Sequence, residues 1–209
     1  MSFIQQEIMN CYICGTGSHG QRYCSPCFQA FIKKRMVQPT PVKGGGNLAD
    51  ETSKRLGQTA EDLFYSYFIT KNKRIRTATN NENRRRHYDF VVFEESLGRF
   101  IRIEVKSIKA RKRGQQPDPS IVYLEVHNID GHPGWIYGES DYIAFQTPTG
   151  FMMVNRMRLV EKVKHFYDKL PYVTESGLDY TLYGRFNRMD LVMVLPFSEI
   201  AVIEDKIII

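Results

Sequence analysis

Residues 87–108, HYDFVVFEESLGRFIRIEVKSI, narrow the possible folds of this chain more than any other stretch. Phe90, Val91, Val92 and Phe93 are apolar at consecutive positions, so both faces of that run need cover, as in a central strand. The next run alternates instead, with Ile101, Ile103 and Val105 on one face and Arg102, Glu104 and Lys106 on the other. Ser96, Leu97 and Gly98 supply the turn between them. A strand covered on both faces needs a sheet with further layers, and the flanking sequence offers them.

Upstream, residues 48–72 space Ala60, Phe64, Tyr67 and Phe68 helically, with Gly57 as a possible break. RIRTAT, HYDFVVFEE, RFIRIEVKSI and IVYLEVHN then read as four strands after that helix. The glycine-rich HNIDGHPGWIYGES reads as a loop, DYIAFQT and FMMVNR as strands joined through Pro148, Thr149 and Gly150, and residues 157–170 as a helix ending before Pro171. LVMVLPF and EIAVIE are two more short strands. The fold class expected is α/β, a mixed central sheet flanked by helices and preceded by a small zinc-binding module.

All four cysteines lie in the first 27 residues: Cys11 and Cys14 in CYIC, Cys24 and Cys27 in CSPC. Two such pairs can close a tetrahedron of thiolates around Zn²⁺, and about 35 residues build no core without such a staple. An iron–sulfur cluster or redox thiols remain alternatives to zinc, and His19 reads as a loop residue. The segment VQPTPVKGGGN has linker composition, giving a zinc finger over 1–36, a linker over 37–47 and a main domain over 48–209.

Lys and Arg number 29 against 23 Asp and Glu, a net charge of +6, which suits a polyanionic partner. The basic residues cluster at Lys33 and Lys34, at Arg74, at Arg84, Arg85 and Arg86, and at Lys109, Arg111, Lys112 and Arg113. They are candidate phosphate contacts, with solvated loops as the plainer reading. No stretch is apolar enough for a membrane span and the N-terminus lacks the pattern of a signal peptide, so a soluble, intracellular protein is expected.

Asp89 stands near the start of the central strand, where a buried carboxylate needs a cation or hydrogen-bond partners. Glu61 stands at the margin of the apolar face of the first helix, able to look onto the sheet. Three carboxylates, Glu61, Asp89 and Glu104, converging with Lys106 suit Mg²⁺, which takes hard oxygen ligands and binds phosphate. Glu125 in IVYLEV, on what reads as the neighbouring strand, is a weaker candidate. His87, His127 and His132 show no ligand spacing, and Trp135 and Tyr137 read as core or loop anchors.

In this order of elements the chain resembles the PD-(D/E)xK nuclease superfamily, whose pattern is a helix with an acid, a strand with Asp, a turn, and a strand carrying Glu-x-Lys. Tyr88 stands where the name-giving Pro would. The region after these strands resembles phage-type nucleases and Holliday-junction resolvases more faintly. The resemblance implies a restriction-endonuclease-like core in which Asp89, Glu104 and the Val105 carbonyl ligate Mg²⁺ or Mn²⁺. It implies further that Lys106 positions the attacking water, that Glu61 supports the site, and that duplex or branched DNA is cut, as a homodimer where both strands are cut. Two other classes stand beside it: a non-catalytic nucleic-acid binder, and a module whose finger docks a protein.

Overall fold

The computed structural model describes residues 8–10, 17–19, 48–112, 114–185, 188–203 and 206–209, with side chains from Lys54 onward except Lys206. The chain divides into two compact units, Met1–Lys43 and Gly44–Ile209. In the first, β1 (Ile8–Asn10) pairs antiparallel with β2 (Gly17–His19). Cys11, Cys14, Cys24, Cys27, Lys33 and Lys34, and with them the expected zinc finger and linker, lie outside the described residues, as does Arg113.

The second unit is α/β, with mixed sheets flanked by helices. Its first helix, α1 (Leu48–Thr70), runs unbroken through Gly57. Ala60, Phe64 and Phe68, four residues apart and buried, form the stripe it lays against the sheet. They meet Phe90, Val92, Ile101, Ile103 and Val105 in one core. The Phe64 ring lies 5.6 Å from Phe90 and 5.1 Å, edge-on, from Phe151.

β3 (Ile75–Thr77) leads through Thr79 into α2 (Asn80–Arg86), a helix unforeseen in the sequence. Its capping box is complete: the Thr79 hydroxyl accepts from the Glu82 amide and the Glu82 carboxylate from the Thr79 amide. β4 (Phe90–Glu94) and β5 (Arg99–Lys106) follow as an antiparallel pair. Their turn is a single 3₁₀ coil over Glu95–Leu97 closed by Gly98 at φ 61°, a conformation that favours glycine.

Next come β6 (Ile121–His127), β7 (Tyr142–Thr147), β8 (Gly150–Asn155) and α3 (Arg156–Tyr167). β9 (Tyr172–Val173), β10 (Thr181–Tyr183), β11 (Leu191–Pro196), α4 (Phe197–Ala201) and β12 (Lys206–Ile208) complete the unit. One sheet has the order β12-β8-β7-β5-β4-β3, with β5 and β7 its only parallel pair; the other has the order β6-β11-β10-β9.

Three expectations are corrected. IVYLEVHN does not continue the first sheet: β5 is flanked by β4 and β7, and β6 pairs with β11 in the second sheet. The unit thus holds two mixed sheets rather than one, and β6 stands at the end of the second, beside β11. EIAVIE is not a strand: Pro196 caps the short α4, which buries Ile200, and the terminal strand is Lys206–Ile208 instead. Four consecutive apolar residues, Ile200 to Ile203, fit one helical turn as well as a short strand. Among the described residues no helix is long and apolar enough to cross a membrane.

Phe64→Ala should cost about 3–5 kcal/mol of unfolding free energy in chemical denaturation. Leu63→Ala, at a side chain 51% exposed, should stay within about 0.5 kcal/mol. Equal losses would mean that α1 does not lie on this face.

Candidate active site

The β4–β5 ladder ends with Phe90 opposite Ile103, and Asp89, just before it, lies close enough to Glu104 for their charges to act on each other. The Asp89 amide donates to the Ile103 carbonyl at 2.8 Å, one position out of the register that pairs Phe90 with Ile103. Both Asp89 oxygens are engaged: Oδ2 accepts from the Val105 amide at 2.7 Å and Oδ1 from the Asn83 side chain on α2. In an extended strand the N–H and C=O of one residue leave by the same edge, so the Val105 carbonyl faces the Asp89 side as well.

Glu104 and Lys106 share the other face of β5, as alternation demands, and the ammonium of Lys106 donates to Glu104 Oε1. Glu104 Oε2 is buried with no hydrogen-bond partner among the described residues. The Lys106 ammonium also lies 4.6 Å from the centre of the Trp135 ring. Trp135 reaches it because Gly134 passes so close to Glu125 that a Cβ would stand 2.0 Å from its carbonyl oxygen, which leaves glycine alone possible there.

The ionisations tie these groups into one cluster. Burial, then the charge of Asp89, push Glu61 up to about 7 against the pull of Lys106. Burial, then Glu104, push Asp89 up to about 7, opposed by Lys106 and by the Val105 and Asn83 hydrogen bonds. Burial likewise raises Glu104, which also feels Glu61 and Glu125. Burial works against the charge of Lys106, but Glu104 and Asp89 outweigh it and hold the ammonium above the ordinary lysine range. The four residues singled out in the sequence therefore stand within electrostatic reach of one another.

Three further residues join the four: Asn83, His87 and the weaker candidate Glu125. Asn83 bonds Asp89 from a helix whose Thr-x-x-Glu start was legible in the sequence. His87, in the left-handed conformation at φ 53° that ends α2, is pushed down by burial and then by the charge of Lys106. Glu125 reaches the cluster from the second sheet rather than from a neighbouring strand, raised by burial and opposed by Lys106.

The donor set suits a hard divalent ion: the acids offer oxygens, and Glu104 Oε2 is orphaned. As the side chains stand, no three or more Asp, Glu, His or Cys among the described residues are close enough to share an ion. Lys106 occupies Glu104 Oε1 instead.

The candidate phosphate contacts are dispersed. Arg84 and Arg85 are exposed in the last turn of α2, where they also complement the helix dipole, and neither makes an ion pair among the described residues. Arg74 lies 3.7 Å over the Phe93 ring. Arg86 pairs with Glu139 and Lys112 with Glu175, while Arg111 is gripped by Asp118, Asp179 and the Gly177 carbonyl. Lys109 is half-buried near Lys106. No family model, no curated protein and no solved structure matches the chain.

In metal-free protein the raised carboxylates bind protons more tightly when folded than when unfolded. Their contribution to stability is full below the ordinary carboxylate value and is lost as pH rises from there through about 7. Glu61→Gln removes one such charge without breaking a hydrogen bond of its own, so its melting temperature in EDTA should exceed that of the parent at pH 8. The gain should be on the order of 1 kcal/mol and shrink toward pH 5. A difference independent of pH would place Glu61 outside the cluster.

Proposed function

We propose that the Gly44–Ile209 unit is a metal-dependent DNA endonuclease of the kind its motifs resemble, the PD-(D/E)xK superfamily. The observation that carries this reading is the closeness of two buried carboxylates, Asp89 at the start of β4 and Glu104 in β5, with Lys106 on the Glu104 face and Glu61 within electrostatic reach. Several acids around one ammonium at the end of a strand are costly to bury, and such clusters concentrate where chemistry is done.

Bound Mg²⁺ or Mn²⁺ would supply Lewis acidity at a phosphate oxygen and acidify the attacking water. Asp89, Glu104 and the Val105 carbonyl are the residues to hold it, with Glu61 a further oxygen donor from α1. Lys106 stays cationic at neutral pH, so its role is to orient the water and face the phosphate charge rather than to accept a proton. Asn83 fixes the Asp89 carboxylate, and Trp135 limits the swing of the Lys106 ammonium.

The substrate in this reading is duplex or branched DNA, as for a junction resolvase, with site-specific cutting and exonuclease action as the other modes. Arg84, Arg85 and Arg74 offer phosphate contacts on the main unit. Cys11, Cys14, Cys24 and Cys27 would hold a structural Zn²⁺, and a homodimer would bring two sites to two strands.

A second reading has its own observation. With no ion-sharing group among the described residues and Lys106 paired to Glu104, the cluster also suits a buried salt bridge in a non-catalytic nucleic-acid binder.

Incubating the protein with Mg²⁺ and plasmid, linear duplex, single strand, four-way junction and RNA separates the two. Nicking or cutting should appear with Mg²⁺, vanish in EDTA, and fall at least about 100-fold in Lys106→Ala while DNA binding persists. Binding without cutting by the parent protein selects the second reading. Replacing Arg84 and Arg85 together by Ala should weaken DNA binding and reduce the slope of log affinity against log salt by up to about 2. An unchanged slope would remove α2 from the interface.

A further inference from the structure

Where β5 ends, the two sheets leave a cavity of about 50 Å³ between them. Its wall includes Phe145 and Phe197, whose rings meet edge-on at 6.5 Å. Lys106, Ser107, Lys109 and Gln146 bring the polar groups to it. We propose that this cavity is a binding pocket for a phosphate group of the substrate strand, next to the carboxylate cluster. The strand's identity rests on the nuclease reading; the pocket rests on its own residues.

Size selects the occupant first. A water needs about 10–15 Å³ of such space, so the cavity takes roughly three to five water-sized groups. The four oxygens of a phosphate fill it, and a nucleobase does not enter.

Charge and hydrogen bonding select it again. Lys106 and Lys109 border one small space from the same stretch of chain, which makes its potential positive. Burial, and then the charge of Lys106, lower the Lys109 ammonium, a cost that an anion beside Lys109 relieves. The Ser107 hydroxyl is buried without a hydrogen-bond partner among the described residues, a state that costs free energy unless a ligand completes it. Gln146 accepts from the Ile108 amide at 3.3 Å through Oε1, which orients its amide so that Nε2 remains a donor. The pocket also adjoins the reacting centre, because Lys106 lines one and bonds Glu104 in the other.

The phosphate has two sources of one chemistry: an internal phosphodiester beside the cut bond, or the terminal monophosphate of a strand end. Titrating inorganic phosphate into the full-length protein in EDTA, followed by amide chemical shifts, tests the pocket apart from any cleavage. Shifts should centre on residues 106–109 and 145–146, with affinity at least tenfold weaker in Lys109→Gln and severalfold weaker in Ser107→Ala. Ser107→Ala deletes only a hydroxyl without a partner, so misfolding does not account for its loss. No shifts in the parent, or equal affinity in all three proteins, overturns the proposal. Cleavage of strands with and without a 5′-monophosphate then identifies the source: faster cutting of the phosphorylated strand marks the terminal group, equal rates the internal one. Phosphate binding without any cleavage keeps the pocket and removes the nuclease reading.

Discussion

Burial of Asp89 and Glu104 side by side is the constraint on which the rest of the main unit turns. Two carboxylates in one dry corner repel, and each resists ionisation when withdrawn from water. The fold answers with a fixed set of partners: the Val105 amide and Asn83 for Asp89, the Lys106 ammonium for Glu104. One oxygen, Glu104 Oε2, is left over. A cluster organised this way is costly to bury.

The surrounding layers hold that arrangement by ordinary packing. α1 covers the Ile101, Ile103 and Val105 side of β5 with Ala60, Phe64 and Phe68, and Glu61 follows Ala60 at the edge of that stripe. The other face of β5, which carries the charges, is reached by Trp135 and Glu125 from the chain that builds the second sheet. The apolar face sets where the strand lies; the polar face inherits its position. The charges therefore need no packing of their own to stand in register.

The basic surface divides by partner. Arg111, Arg86 and Lys112 are committed to carboxylates of the same chain, whereas Arg84 and Arg85 stay exposed at the end of α2. A run of arginines in sequence thus separates into structural and available charges once the acids that approach it from distant segments are in place.

Much of the site was legible before the fold. Alternation along RFIRIEVKSI assigns Glu104 and Lys106 to one face because side-chain direction in a strand is a property of the local backbone. The same holds for the Ala60, Phe64 and Phe68 stripe in a helix. What pairs with what was not legible, because every strand edge offers the same amides and carbonyls. β6 looked like a neighbour of β5, yet β7 took that edge in parallel and left β6 to β11. The start of EIAVIE joined a short helix, Phe197–Ala201, that buries Ile200, because a run of consecutive apolar residues carries no period of its own. Asn83, His87 and Trp135 joined the cluster through contacts made by chain reversals, not by spacing. Sequence determines the faces of each element, since those follow from local geometry; only tertiary structure decides which faces and edges meet, since that depends on how all the apolar surfaces are buried together.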